Sequence, residues 1–525
     1  MFLLALTIAI RTCLAAPSAV PVIINNEVTN LPDNNFSWTG VNFDFWPTTK
    51  PKWEGAGALI SDLTSPSLRA LARGLSGSLL RLGGSPADFL LYDVSPDACS
   101  QANLNKTQPP PGGKGYFCPI WDQTVGQCLT LARWQALLTF AKDAGLSLVM
   151  DLNGCWGRKN ATSDMDWGQI DGLLAVTAAA AGTWGGALWG VELSNEVYSN
   201  IAPAVYGAAV LRLRTKMDAL WPASSPAPRI MGPDCWENDL SPTYYATMLA
   251  ASKPSPSSPS SLHAITFHDY ADDCCAPAAG NVLNVTCLDA LFANAAWVRD
   301  LAAAQGVRVW NGEGALHSSS GVSGLTNTAL STLYYLHALG SYADNGFGLF
   351  SRQTLLGGDY GLTNRTTLQP TPDYWGLLAW RGLIGGGALG ARVAAPAPGL
   401  RAHAFCARGA PGGVVALLVN FAAGEGLAAA IAWPGGAAPP PGAAGEMYQL
   451  TGVEGWEEGD GGGALGDAAS NLFRLANNNV TLALVGGVEL PTLAPVTVDA
   501  AGEVWLPPAS ATFVVWRGAG AAACM

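Results

Sequence analysis

A chain of 525 residues in which 49% are apolar and 13% are charged can bury a large core, enough for about two to four domains, and this excludes a disordered class. Its formal charge of -12, from 27 Lys and Arg against 39 Asp and Glu, argues against nucleic acid or any other long polyanion as the partner, since these are gripped by clustered basic side chains.

The chain opens on MFLLALTIAIRTCLAAPSA, an apolar run too short to cross a bilayer and followed by small residues, which reads as a secretory signal peptide over residues 1–19. No later segment has the unbroken apolar length of an integral membrane span. Beyond Cys13 there are ten cysteines (Cys99, Cys118, Cys128, Cys155, Cys235, Cys274, Cys275, Cys287, Cys406 and Cys524), an even number that suits disulfides in an exported protein. Their spacing lacks the CxxC pairs of a zinc site. Six N-x-S/T sequons, at Asn35, Asn105, Asn160, Asn284, Asn364 and Asn479, point the same way.

From residue 38 to 385 short apolar runs alternate with stretches of helical period. SWTGVNFD, GSLLRLGG, LSLVMDLNG, ALWGVELSNE, PRIMGPD, HAITFHDY, VRVWNGE and GFGLFSRQ read as eight strands, with helices such as SPSLRALARGL and ARWQALLTFAKDAG between them. This alternation predicts an α/β fold, a (β/α)8 TIM barrel. A doubly wound sheet would carry a Gly-rich phosphate loop after its first strand, and Gly83-Gly84 does not fit that pattern. NKTQPPPGGKGYFCP is an insertion after the second strand, and SKPSPSSPSS a surface loop. Over 386–525 helical periodicity gives way to short alternating strands (VVALLVNF, VTLALVG, ATFVVW) between Gly- and Pro-rich turns, which predicts an all-β sandwich domain that residues 20–37 could join.

Nearly every barrel strand ends in a polar group: Asp44, Asn153, Asn195-Glu196, Asp234, His268-Asp269-Tyr270, Glu313 and Arg352-Gln353. Barrel enzymes place their chemistry at this end of the strands. Glu196 and Glu313 close the fourth and seventh strands, so both carboxyls can aim into one mouth. Two carboxyls flanking one bond are what glycoside hydrolysis needs, and their separation decides between retention and inversion. Each glutamate taken alone is more often a solvated or cap-like strand end than a catalytic group. A carboxylate pair can also hold Ca²⁺ or Mg²⁺, but the single His268 does not make a metal triad with them. No G-x-S-x-G elbow supports a serine hydrolase.

The ordered set LRALARGLSGSLLRLGGSPADFLLYD, CLTLARWQALLTFAKDAGLSLVMDLNG, VELSNE, RIMGPD, AITFHDY, VWNGEGA, FSRQTLLGGDYGLTNRTTLQPTPDYW and VELPTLAPVTVDAAGEVWLPPASATFVVW resembles the heparanase-like glycoside hydrolases of family 79. These are β-glucuronidases that include animal heparanase and the plant heparanase-like proteins. The likeness spans nearly the whole chain, and its SRQ, GGDYGL and PDYW block is closest to plant and algal members. It implies a retaining mechanism without a cofactor or metal, with Glu196 as acid/base, Glu313 as nucleophile and Asn195 beside the acid. It also implies that Asp44, Ser85, His268, Tyr270, Gln353 and Tyr360 line the sugar subsite, and that Cys406 pairs with Cys524.

Two departures bear on the substrate. Where family members have a glycine pair whose N–H groups meet the uronate carboxylate, this chain has Ser319 and Ser320. Serine keeps the N–H but resists a backbone shape that glycine takes without strain. The cleft loops CWENDLSPTYY and ADDCCAPAAG hold acids and no Lys or Arg, which disfavours a long sulfated glycan. The segment that animal heparanase excises is represented only by the loop from Asn105 to Phe117. The expectation is therefore a secreted, single-chain, monomeric exo-β-glucuronidase whose partner is a carbohydrate carrying β-linked glucuronic acid. An endo-acting enzyme, a non-catalytic glycan-binding barrel and a neutral-sugar glycosidase are the alternatives.

Overall fold

The structure, a computed structural model, describes residues 19–107, 126–184, 186–196, 200–236, 241–274, 284–422, 424–433, 444–453, 474–498 and 502–525. The leader, Cys118, Cys275, most of the 105–119 insertion and the two Gly-rich stretches of the C-terminal region lie outside these residues.

Eight parallel strands close into a barrel: β1 (Trp38–Asn42), β2 (Leu79–Leu82), β3 (Ser147–Leu152), β4 (Leu188–Leu193), β5 (Arg229–Trp236), β6 (Ala264–His268), β7 (Arg308–Gly314) and β8 (Leu349–Arg352). The ring closes where β8 pairs with β1, Leu349 opposite Trp38. Each strand grows from one of the eight apolar runs in the sequence.

The intervening helices start and stop on local signals. Pro66–Gly74 begins behind Ser65, whose side chain accepts from the Leu68 N–H, and has Pro in its first turn. Leu131–Ala144 is capped by Thr130 and ends at Gly145, which takes the left-handed conformation (φ 69°) that a β-carbon would disfavour.

Inside the barrel, Phe36, Leu79, Val149, Trp189, Met231, Ala264, Trp310 and Leu349 pack a dry floor, with Trp189 and Trp310 stacked at 5.5 Å. Above that floor the inward positions turn polar, at Arg81, Asp151, Glu192 and Asn311, all buried. The change along single strands, from Leu79 to Arg81 and from Val149 to Asp151, lifts a charged layer to the C-terminal mouth.

After the barrel, strands form two sheets, antiparallel throughout except where Val20–Ile24 runs parallel to Leu427–Ala432. The larger runs through Ile384–Ala388, Leu400–Ala407, Val414–Asn420, Ser510–Trp516 and Gly445–Val453. The smaller joins Ala391–Val393, Leu427–Ala432 and Glu503–Leu506 with Val20–Ile24 from the start of the chain. Val22, Ile24, Leu418, Ile431, Leu506 and Trp516 fill the space between the sheets. The other face of the larger sheet, with Phe405, Leu417 and Phe513, joins the barrel core. The helix Ala329–Asp344 lies at this junction and is buried from Ala329 to Ala343, with its Ser331 and Thr332 hydroxyls donating to Asp373 and its His337 ring paired with Asp289.

Two local expectations change. VTLALVG supplies only the strand Val480–Thr481, both residues exposed at the sheet edge, before a turn at Gly486-Gly487 with positive φ. The roots of the insertion after β2 form a small parallel pair, Leu90–Tyr92 with Gln127–Leu129, stapled by a Cys99–Cys128 disulfide. Cys274–Cys287 and Cys406–Cys524 are also bonded. Among the described residues no helix is long and apolar enough to cross a membrane.

Candidate active site

At the C-terminal end of the strands lies a cleft of about 580 Å³, lined by Asp44, Ser85, Glu196, Tyr270, Glu313, Ser319, Ser320, Gln353 and Tyr360 from the sequence reading. Trp46, Lys50, Gly84, Trp236 and Ser318 complete the wall. Asn195 and His268 are buried behind it.

The chain leaves β4 through two left-handed residues, Ser194 (φ 68°) and Glu196 (φ 53°), a conformation that costs energy and recurs where a side chain must be aimed. Backbone partners hold the turn: the Glu196 N–H donates to the Asp234 carbonyl at 3.0 Å, and the Asn195 N–H to Asp88 Oδ2 at 2.9 Å. Glu313 arrives on β7, its N–H bound to Asn311 Oδ1 at 3.1 Å. Glu196, His268 and Glu313 each place one side-chain N or O within 4.8 Å of the others. Cleft and barrel geometry thus bring both glutamates of the sequence reading to one point.

Their surroundings differ. Glu313 Oε1 accepts from the Tyr270 hydroxyl at 2.5 Å and Oε2 from Arg81 Nη1 at 3.0 Å, so both of its oxygens are held in place. Glu196 Oε1 lies 2.7 Å from His268 Nδ1. Burial, together with the negative charge of Glu313, raises the Glu196 pKa against the opposing pull of His268 and Arg81. Burial alone would discharge His268, but Glu313, Asp234 and Glu196 raise its pKa well above the usual histidine value. It is an imidazolium whose Nδ1–H donates to Glu196, with Nε2 3.4 Å from Asp234.

Beneath the pair, Arg81 reaches Glu192 (2.6 Å from Nε), Asp234 (2.8 Å from Nη2), Asn195 Oδ1 (2.9 Å) and Asp151 (3.5 Å). These carboxyls cannot all be ionised around one guanidinium. Burial and the charge of Asp234 push Glu192 up to about 8, while Asp234, though equally buried, is held low by Arg81 and His268. Of this layer Asn195 and Asp234 were marked from sequence at strand ends, whereas Arg81, Asp151 and Glu192 were not. The available signal was a charged residue inside an otherwise apolar strand: the Arg of LLRL, the Asp of LVMDL and the first Glu of VEL.

On the opposite wall Asp44 Oδ2 accepts from Gln353 Nε2 (2.6 Å) and Trp46 Nε1 (3.1 Å), and burial with the charge of Glu313 brings its pKa to about 7. Gln353 Nε2 also reaches the Tyr360 hydroxyl at 3.4 Å. Ser319 (φ 53°) and Ser320 (φ 71°) both adopt the left-handed backbone that glycine takes without strain. Ser320 Oγ accepts from Trp53 Nε1 at 2.8 Å, a bond that glycine could not make. Trp236 stacks on Tyr270 at 5.3 Å, adding an aromatic face to the cleft.

As a set of donors, Glu196, His268 and Glu313 have the composition of a cation site, closer together than the sequence reading allowed. Their lone pairs are engaged by one another, by Tyr270 and by Arg81, and the guanidinium adjacent to Glu313 opposes a second cation.

A closed (β/α)8 barrel with two carboxyls meeting at its mouth is an arrangement that glycoside hydrolases use. The family model for glycosyl hydrolase family 79, N-terminal domain, matches residues 19–340. The chain belongs to this heparanase-like family. It is 27% identical to heparanase-like protein 2 of Arabidopsis thaliana over 412 residues, covering 74% of this chain and 71% of that protein. Baicalin-beta-D-glucuronidase of Scutellaria baicalensis is 25% identical, covering 76% and 78%. Heparanase of Mus musculus is 25% identical, covering 69% and 70%. Among solved structures, a 4-O-alpha-L-rhamnosyl-beta-D-glucuronidase from Fusarium oxysporum superposes with a TM-score of 0.58 at 15% identity, covering 94% of this chain and 99% of that one, a likeness of fold.

Proposed function

We propose that this chain is a secreted retaining β-glucuronidase that removes terminal glucuronic acid from glycans, glycoproteins or small glucuronides by double displacement. The approach of Glu196 and Glu313 oxygens to within 4.8 Å carries this reading. One oxygen from each lies within that distance, which is nearer to the carboxyl spacing of about 5–5.5 Å at which one carboxylate attacks carbon directly than to the about 6.5–9.5 Å of an inverting pair.

Glu313, oriented by its two donors, attacks the anomeric carbon while Glu196 protonates the departing oxygen. The C–O bond to the aglycone breaks as the ester to Glu313 forms. Glu196, now anionic, is steadied by the His268 imidazolium and takes a proton from the water that cleaves the ester. Asp44 Oδ1 and Gln353 Oε1, buried and without a hydrogen-bond partner among the described residues, are acceptors for sugar hydroxyls. The left-handed amides of Ser319 and Ser320 face the same cleft and suit a carboxylate. The names of the two relatives that act as glucuronidase and heparanase support the same sugar.

Export is supported by three disulfides among the described residues and by the exposure of five of the six sequon asparagines, all but Asn364. The test is hydrolysis of a chromogenic β-D-glucuronide beside the matching β-glucoside by wild type and Glu313→Gln. Glucuronide turnover that disappears in the variant supports the reading. Turnover of the glucoside alone overturns the choice of sugar.

A further inference from the structure

One imidazole faces both glutamates of the cleft. His268, at the end of β6 and fully buried, places Nδ1 2.7 Å from Glu196 Oε1 and 3.9 Å from Glu313 Oε2. In double displacement a negative charge leaves Glu313 as the ester forms and appears on Glu196 as its proton departs. A cation at this position faces that charge before and after the step without moving. Burial alone disfavours a charged imidazole, so the far side of the ring decides whether the cation is there.

That side belongs to Asp234, on β5. Its Oδ2 accepts from Arg81 Nη2 at 2.8 Å, and its Oδ1 lies 3.4 Å from His268 Nε2. No other hydrogen-bond partner among the described residues reaches either Oδ1 or Nε2. The backbone brings the carboxylate to this place. Asp234 is left-handed (φ 52°), its N–H donates to Thr266 Oγ1 at 3.1 Å, and its carbonyl accepts the Glu196 N–H at 3.0 Å. On β7, a β-carbon added to Gly312 would come within 2.9 Å of Asp234 Oδ1 and 3.3 Å of Thr266 Cβ. The glycine before Glu313 thus leaves the space that Oδ1 occupies. The other charged groups at this contact are Arg81 from β2 and Glu192 from β4. Burial and the charge of Asp234 hold Glu192 at about 8, which leaves Asp234 the anion of the two at neutral pH.

We propose that Asp234 is a positioning residue that acts through His268: it keeps the ring an imidazolium, whose charge balances Glu313 and then Glu196. This rests on the double-displacement reading. Glu196 gives its proton to the glycosidic oxygen in the first step and regains one from water in the second, while both ring protons of His268 stay in place.

The experiment joins a pH profile to a spectrum. kcat/KM for phenyl β-D-glucuronide, whose leaving group needs the proton of Glu196, is measured against pH for wild type and Asp234→Asn. Asparagine keeps the shape and can still accept from Arg81, but it removes the anion. The basic limb is expected to move down by about one pH unit or more, because His268 then loses its charge at lower pH. In ¹⁵N-histidine-labelled protein, His268 is assigned by its absence from the spectrum of His268→Gln. The wild-type ring carries protons on both nitrogens up to about pH 8, where the variant ring has lost one. An unmoved limb in a folded Asp234→Asn overturns the inference, as does a loss that is equal at every pH, which marks a structural role. A wild-type His268 that is neutral at about pH 7 overturns it even where Asp234→Asn fails to fold. A folded wild type that hydrolyses no β-glucuronide overturns this inference and the glucuronidase reading together.

Discussion

Arg81 and Glu313, 232 positions apart in the chain, meet at 3.0 Å in the floor of the cleft. The same guanidinium also bonds Glu192, Asp234 and Asn195, and both Arg81 and its carboxylate partners are almost fully buried. One cation thus orients the nucleophile proposed here and the amide beside the proposed acid. Removing it leaves carboxylates buried without a counter-charge. Arg81→Met is expected to destabilise the fold by about 3–5 kcal/mol, the cost of breaking a buried ion pair from one side. Arg81→Lys keeps the charge but loses the fork and falls between. Urea unfolding of the three proteins checks this.

Glu196 and Glu313 should separate kinetically. Glu313→Gln keeps a hydrogen-bonding side chain and abolishes turnover of every substrate. Glu196→Gln removes the proton donor, so its loss is largest for aglycones of high pKa and small in the first step for nitrophenolates. A Brønsted series of aryl glucuronides measures the difference; equal losses across the series would contradict the acid role.

The pH dependence of stability has a sign set by the buried acids. Burial raises Asp44, Asp88 and Asp269 to about 7 and Glu192 to about 8, whereas their unfolded values lie near 4. Between about pH 4 and pH 8 the folded chain holds protons that the unfolded chain has released, so stability falls as pH rises through that window. His268, raised well above its unfolded value, acts in the same direction because its stabilising charge is lost only as pH climbs. The Tm is expected to be several degrees higher at pH 5 than at pH 8, measured at fixed ionic strength.

Cys406 and Cys524 close a loop across 118 positions and tie the C-terminal tail to the larger sheet. Cys524→Ser is expected to cost about 2–5 kcal/mol of stability and to leave kcat nearly unchanged, because the bond lies in the β-domain away from the cleft.

The sequence shows much of this architecture because strand and helix periods are local properties. Eight apolar runs became the eight barrel strands, and their polar ends marked the mouth where Glu196, His268 and Glu313 meet. Arg81, Asp151 and Glu192 were less legible. A single charged letter within LLRL or LVMDL does not reveal which way its side chain points until the barrel closes. Lys50 and Trp46 were hidden for another reason: they enter the cleft from the loop after β1, whose path depends on distant partners such as Ser320. The backbone at Ser319-Ser320 ran against expectation, since serine there tolerates the left-handed shape, with Ser320 anchored by Trp53.

The central claim is retention by double displacement, and the anomer released first tests it most directly. Proton NMR of a β-glucuronide during its first minutes of hydrolysis follows the anomeric signals before mutarotation mixes them. The close approach of Glu196 and Glu313 predicts β-glucuronic acid as the first product, with the α form growing in later. Initial release of the α anomer would contradict the account, because it marks direct attack by a water activated between the two carboxyls.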